Sequence, residues 1–282
     1  MTAPSLKDQT LALLGLGTLG RALVDGLLRR GELSPERVRA TVRREDVARQ
    51  LQEELGISVG TDNAAAVEGA DVVLVCTKPK GVAGVLQQAT AGGSLSPEAR
   101  VVSVAAGVTT AAIEAELPDG QRVVRAMPNT PCLIGEGMTV VCPGSAARPA
   151  DAALAMDLFR PLGRVLELDE EHIDVVTGLS GSGPAFVYVI LEALSEGGVM
   201  MGLPRKVATE LACQTVRGAA TMVLDTGRHP AELKDEVLTP AGCTIAGLLT
   251  MEDGGIRSTL ARGIQEAARA AAGLGQAKPD AR

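Results

Sequence analysis

The chain is nearly devoid of aromatic residues: its 282 positions hold no Trp, one Tyr (Tyr188) and two Phe. That scarcity removes the stacking platforms on which single-stranded nucleic acids are held. Histidine is equally sparse, with only His172 and His229, and the five cysteines, Cys76, Cys132, Cys142, Cys213 and Cys243, form no CxxC pair. No ligand cluster follows from such spacing, so no metal is expected. The thiols are expected to pack as small hydrophobes in a reducing compartment. Basic charge is not concentrated either: the formal net charge is −7 with both signs scattered, whereas phosphate-backbone binding needs a basic surface. Nucleic acid is not an expected partner. The opening stretch Met1–Gln9 has no apolar signal core, and Gly, Pro or charge punctuates the longer apolar runs before the ~18 residues of a membrane span. A cytoplasmic protein without membrane association is the expectation.

What the sequence does have is a 46% hydrophobic content over a length that permits one large domain or two ordinary ones. Its first apolar run, Thr10–Leu14, leads into Gly15-Leu16-Gly17-Thr18-Leu19-Gly20, and helical spacing follows through Leu23, Leu27 and Leu28. The order is strand, glycine turn, helix. Gly15 permits the tight turn, Gly17 lets the backbone approach a pyrophosphate, and Gly20 allows close helix–strand contact. A second strand, Val38–Val42, ends at Arg43 and Arg44, where NAD-binding domains often place an acidic residue. A guanidinium there suits a 2′-phosphate, which favours NADPH, with NADH as a second possibility. The alternative for Arg43 and Arg44 is that they begin a solvated helix with Glu45, Asp46 and Arg49.

Further strands are expected at Asp71–Cys76, Val101–Ala105, Val123–Ala126, Met138–Cys142 and Val165–Leu168. Helical segments separate most of them, giving a Rossmann-type doubly wound sheet over residues 1–168. Its carboxyl-end rim would gather the glycine turn, Arg43–Arg44, Thr77-Lys78-Pro79, Ala106-Gly107-Val108-Thr109 and Met127-Pro128-Asn129. Over residues 169–282 strand signals cease, and an all-helical C-terminal domain is expected, with one helix enclosing Pro184–Gly197 and another running from Pro204 to Asp225. On the latter, Val207, Leu211, Thr215, Ala219 and Met222 recur at helical spacing, as a buried stripe would. The small residues around them suit close packing between subunits, in a homodimer or a larger assembly of dimers.

Two segments suggest chemistry. Thr177-Gly-Leu-Ser-Gly-Ser-Gly-Pro184 precedes an apolar helix, as either a helix N-terminus at a ligand or a glycine-rich capping turn. Thr239-Pro-Ala-Gly-Cys-Thr244 interrupts a helical region, and the N–H groups of Gly242, Cys243 and Thr244 with the two threonine hydroxyls suit a carboxylate. Cys243 has no histidine nearby in sequence to make it a nucleophile.

Taken in order, Val124-Arg-Ala-Met-Pro-Asn-Thr-Pro131, Ser180-Gly-Ser-Gly-Pro184 and the Thr239–Thr244 loop resemble the pyrroline-5-carboxylate reductases, as do Lys78-Pro79 and Val104–Thr109. The likeness runs from Gly15 to about Ala272. It implies reduction of 1-pyrroline-5-carboxylate to L-proline by NAD(P)H, the last step of proline biosynthesis. It also implies cofactor contacts at Asn63 near the adenosine ribose and at Met127, Pro128 and Asn129 beside the nicotinamide. Thr239, Gly242, Cys243 and Thr244 would then bind substrate, with the Thr244 hydroxyl near the ring nitrogen as the catalytic group. The substrate loop departs from the commoner Ser-Pro-Gly-Gly pattern: Thr239 keeps a hydroxyl, while Ala241 tests whether its position needs positive φ. A related hydroxyacid dehydrogenase would share the fold but usually needs a lysine on the helical side, and Thr177–Val199 contains none. A non-catalytic NADP-binding regulator is the rival from another class.

Overall fold

Leu11–Leu14 forms strand β1 with all four side chains buried, and alternation along it divides the core in two. Leu11 and Leu13 join one apolar cluster with Leu23, Leu27 and Phe159, while Ala12 and Leu14 join another with Leu86, Ile113 and Val123. A strand covered on both faces is necessarily a continuous apolar run. The structure, a computed structural model, describes residues 6–274. Residues 1–5, within the stretch expected to carry no signal, and 275–282 lie outside the described residues.

The other strands are β2 (Val38–Thr41), β3 (Ser58–Gly60), β4 (Val72–Val75), β5 (Arg100–Ser103), β6 (Arg122–Met127), β7 (Gly137–Pro143) and β8 (Gly163–Glu167). They form one sheet in the order β3-β2-β1-β4-β5-β6-β7-β8. Every pairing is parallel except β6 with β7. Between them run α1 (Thr18–Arg29), α2 (Glu45–Leu55), α3 (Asn63–Val67), α4 (Val82–Thr90), α5 (Thr110–Glu114) and α6 (Pro149–Phe159), with the short α7 (Ile173–Val176) after β8. The doubly wound sheet is as expected, with β3 added: three residues, the last of them glycine, give too little periodicity to stand out.

Among the described residues, the regular elements after α7 are all helices: α8 (Gly183–Met200), α9 (Arg205–Thr226), α10 (Pro230–Val237), α11 (Cys243–Asp253) and α12 (Ile256–Ala272). Two compact units result, one holding residues through Ser182 together with those from Glu266, the other Gly183–Gln265. In the second, α8 and α9 approach closely enough that a Cβ on Gly198 would lie 3.1 Å from that of Ala208.

Two expectations are corrected here. The stripe Val207, Leu211, Thr215, Ala219 and Met222 is exposed, and α9 buries Ala208 and Ala212 instead. The spacing is real, but this chain does not cover it. Glycine and proline also fail to break the helical run Glu170–Met200, which is long and apolar enough to cross a membrane by length and composition alone.

At the amino end of β5 and β6, Asp151 is buried and accepts from Arg100 Nε at 2.9 Å, Arg122 Nη1 at 3.4 Å and the Arg148 amide at 2.9 Å, the last capping α6. Removing the carboxylate strands the buried Arg122, which keeps only Glu98 on the exposed side. Asp151→Ala is expected to lower the free energy of unfolding by about 3–5 kcal/mol, as measured by urea denaturation.

Candidate active site

The glycine turn is held by the ends of three strands. Gly15 and Leu16 N–H groups both donate to the Thr41 carbonyl at the end of β2, and Gly15, at φ +97°, has Thr77 of the β4 end so close that a Cβ would meet its methyl at 2.9 Å. Gly20 lies against β1, where a Cβ would meet Leu13 at 3.0 Å and the Gly15 carbonyl at 3.2 Å. Gly17 faces open space and caps α1 with no side-chain hydrogen bond. Thr18, Leu19 and Gly20 thus open a helix whose first N–H groups are free for an anion.

Beside this turn is a cleft of about 930 Å³, lined by Gly15, Leu16, Gly17, Arg43, Asn63, Thr77 and Lys78 among the expected residues. Sequence reasoning missed Thr41, Lys80 and Gln88, which also line it. The Thr41 hydroxyl donates to Asn63 Oδ1 at 2.7 Å, and Asn63 Nδ2 donates to Gln88 Oε1 at 2.6 Å. Such partners lie on different elements and carry no local sequence signal. The two arginines part company here: Arg44 pairs with Asp46, whose carboxylate raises its pKa, while Arg43 has no ion-pair partner among the described residues. The Thr77 hydroxyl is buried without a hydrogen-bond partner. An open glycine cradle, an unpaired arginine and an orphaned hydroxyl fit a phosphorylated dinucleotide. Cys76 also lines the cleft, but burial pushes its thiol up to about 12, too high for a thiolate nucleophile.

Pro79 opens the turn after Lys78. The remaining rim residues, Ala106, Gly107, Met127 and Asn129, lie at the carboxyl ends of β5 and β6 and do not line this cleft. Ala106 and Met127 pack into one cluster with Val140, Ile173 and Val176. Asn129 is engaged internally: Nδ2 donates to the Ser180 carbonyl at 3.0 Å and Oδ1 accepts from the Met138 amide at 2.8 Å. The serine–glycine segment is neither a helix N-terminus nor a capping turn. It is a π-helical turn, Thr177–Gly181, closed by the Ser182 amide on the Thr177 carbonyl at 2.9 Å. A Cβ on Gly181 would lie 2.9 Å from Met127 Cε, so glycine serves the approach of Met127, and π turns of this kind recur at functional sites.

In the helical unit, Thr239–Gly242 forms a tight turn closed by the Gly242 amide on the Thr239 carbonyl at 3.0 Å. Ala241 has φ +54°, so its position does call for the left-handed region. A Cβ on Gly242 would meet Thr239 Oγ1 at 2.2 Å, which fixes glycine there. Gly242 caps α11 without a side-chain hydrogen bond, leaving the Cys243 and Thr244 end of the helix open to an anion. Neither histidine supplies a base: His229 caps α10 and His172 is exposed beside Glu171. No group of metal-ligating residues is present among the described residues.

Arg125 and Glu170 were also missed. Arg125 on β6 is buried and donates Nη1 to Glu170 at 3.0 Å. Burial alone would raise the Glu170 carboxyl, but the Thr110 hydroxyl, the Thr110 amide and Arg125 together hold it below the usual carboxylate range.

A glycine cradle on a doubly wound sheet, a basic residue at the end of β2 and a helical second unit define an NAD(P)-dependent oxidoreductase. Two family models match the chain: residues 10–107 match the NADP oxidoreductase, coenzyme F420-dependent family, and residues 170–274 match pyrroline-5-carboxylate reductase dimerisation. The pyrroline-5-carboxylate reductase of Methanosarcina acetivorans is 40% identical over 96% of this chain and 100% of its own length. That of Corynebacterium melassecola is 42% identical over 95% and 99%. The chain therefore belongs to the pyrroline-5-carboxylate reductase family. Among solved structures, a Coxiella burnetii pyrroline-5-carboxylate reductase superposes with a TM-score of 0.89 at 32% identity, covering 95% of this chain and 99% of that one. The Plasmodium falciparum pyrroline carboxylate reductase with NADP bound gives 0.84 at 26%, covering 96% and 99%.

The lowered Glu170 value makes a stability prediction. A carboxylate with a depressed folded-state pKa contributes stability that is full above its unfolded value, about 4.3, and lost as pH falls through the folded value. The gap in urea midpoint between wild type and Glu170→Gln is expected to be widest near neutrality and to narrow as pH drops below the carboxylate range; a gap independent of pH would contradict the ion pair.

Proposed function

We propose that this protein reduces 1-pyrroline-5-carboxylate to L-proline with NADPH, the final step of proline biosynthesis, accepting NADH less well. The observation that carries the proposal is the pairing, on one chain, of the dinucleotide cleft with the Thr239–Thr244 turn, in a sequence whose relatives over nearly their whole length bear that enzyme's name. In this reading residues 1–168 hold the cofactor and residues 169–282 bind substrate and dimerise.

Each part of the cofactor has residues to hold it. Gly15, Leu16 and Gly17 shape the turn, their own amides being spent on the Thr41 and Gly15 carbonyls, and Thr18, Leu19 and Gly20 present backbone N–H groups to the pyrophosphate. Arg43 holds the 2′-phosphate, Asn63 the adenosine ribose, and Thr77, Lys78 and Pro79 flank the phosphates. Ala106, Gly107, Met127 and Asn129 form the nicotinamide side, Asn129 by fixing the π turn. When bound, the reduced nicotinamide supplies the hydride. Gly242 shapes the turn, its amide being spent on the Thr239 carbonyl, the Cys243 and Thr244 N–H groups with the Thr239 hydroxyl hold the substrate carboxylate, and the Thr244 hydroxyl hydrogen-bonds the ring nitrogen. Once protonated, that imine is already electrophilic at carbon, so orientation supplies much of the catalysis and a strong acid–base pair is not required.

Support for a homodimer comes from the match of residues 170–274 to a dimerisation family and from the exposed apolar residues of the helical unit, among them Leu211 and Met222. A second copy would cover the face that otherwise makes Glu170–Met200 resemble a membrane helix. We place the enzyme in the cytoplasm. A hydroxyacid dehydrogenase is disfavoured by the absence of lysine from Thr177–Val199.

NADPH oxidation with 1-pyrroline-5-carboxylate, with proline identified as product, tests the reaction. Absence of turnover in protein that binds NADPH would favour the regulator. Thr244→Ala is expected to lower kcat about tenfold with NADPH affinity unchanged, and unaltered steady-state constants would remove Thr244 from the mechanism. Arg43→Glu is expected to raise KM for NADPH by about ten- to a hundredfold, the loss of a charge-assisted bond, while KM for NADH changes little.

A further inference from the structure

Beneath the carboxyl-end rim lies a charged cluster that none of these roles uses. Glu170 Oε1 accepts from the Thr110 amide at 2.8 Å and from Arg125 Nη1 at 3.0 Å, and Oε2 accepts from the Thr110 hydroxyl at 2.6 Å. Arg125 is 3% exposed, and its Nη2 is buried with no partner. An ion pair that buries its arginine with one nitrogen unsatisfied, while the carboxylate stays partly exposed, is a poor way to stabilise a sheet, because an apolar side chain in place of the arginine often does as well.

Its placement supplies another reason for the cluster. Arg125 stands two residues before Met127 on β6 and so on the same face, directly beside Ser103 at the end of β5. Thr110 is the first residue after the Ala106–Thr109 loop and opens α5. Glu170 precedes Ile173 and Val176, which pack with Ala106 and Met127. One carboxylate therefore ties the end of one rim loop to the strand that delivers the other.

We infer that Glu170 is a positioning residue for hydride transfer, fixing the separation of the Ala106–Thr109 and Met127–Asn129 loops so that the nicotinamide ring is held in one orientation. The inference rests on the proposal that these loops flank the nicotinamide. A carboxylate suits the task because its two oxygens accept from three donors at once, whereas an amide at the same place turns a donor toward Arg125 or Thr110. Reaction rates are steep in donor–acceptor placement, so a displacement of about 1 Å can cost about a hundredfold.

Glu170→Gln and the pair Arg125→Met/Glu170→Gln test this. The pair leaves no buried charge stranded and keeps an acceptor for Thr110, so it folds even if the single variant is weakened. Four quantities are measured on the full chain: kcat, the melting temperature, the dissociation constant of adenosine 2′,5′-bisphosphate, and that of NADP⁺. Expected for both variants are a kcat lower by about ten- to a hundredfold, adenosine 2′,5′-bisphosphate affinity within about twofold of wild type, and a loss of the extra affinity that the nicotinamide half gives NADP⁺. If Glu170 is only structural, thermal stability falls while kcat and the ratio of the two affinities stay put, which overturns the inference. Loss of both affinities together also overturns it. Met127→Ala separates the underlying proposal: an unchanged affinity ratio there means the rim does not hold the nicotinamide and both fail, whereas a changed ratio with Glu170→Gln silent sinks the positioning role alone.

Discussion

Between β1 and α1 there is room for a backbone and little else, and the α/β unit is arranged around that closeness. Gly20 must lack a side chain for α1 to rest on Leu13, and Gly15 must adopt φ +97° for the turn to pass under Thr77. The turn also borrows the last carbonyl of β2, that of Thr41, as acceptor for two of its N–H groups. The ends of β1, β2 and β4 are thereby locked to one another, and the cleft is the space they leave. A side chain at Gly15 would press on Thr77, and one at Gly20 would push α1 off β1, so the turn that borders Arg43 could not keep its place.

This explains why the cofactor half was legible from sequence. Strand, glycine turn and helix are consecutive, so one stretch of chain records the whole constraint, and the four apolar residues of β1 announce a strand buried on both faces. Legibility fails where the constraint is shared between distant segments. The serines and glycines at Thr177–Ser182 read as a helix start or a capping turn, yet the π turn they form meets Met127 and Asn129, about fifty residues earlier in the chain. Arg125 reads as one letter of a motif until Glu170 and Thr110 converge on it. The apolar spacing on α9 was visible, but spacing tells which side of a helix is apolar and not which molecule covers it.

The Thr239–Gly242 turn shows a different limit. Ala241 at φ +54° lies where glycine would be unstrained, and a residue held there adds of order 1 kcal/mol of strain. The strain is confined to a turn whose neighbour Gly242 cannot carry a Cβ without striking Thr239. Two adjacent positions thus meet opposite tests, one tolerating a methyl group at a conformational penalty and the other excluding it by contact. The N–H groups that follow keep their direction because the Gly242 amide still closes the turn on Thr239.

The two buried arginine clusters of the sheet divide the work by where they sit. Asp151 binds Arg100 and Arg122 at the first residues of β5 and β6, the end of a parallel sheet away from ligands. There every oxygen is used, including one to cap α6, as suits a group kept for stability. Arg125 and Glu170 lie at the opposite end of the same strands, and there the pairing leaves a guanidinium nitrogen without a partner. A sheet selected only for stability would fill that second place with an apolar pair. Keeping a charged group where rim loops must hold one geometry follows from chemistry that asks for orientation more than for acids and bases: with no histidine and no low-pKa thiol in the cleft, the distance between two loops is what the protein has left to control.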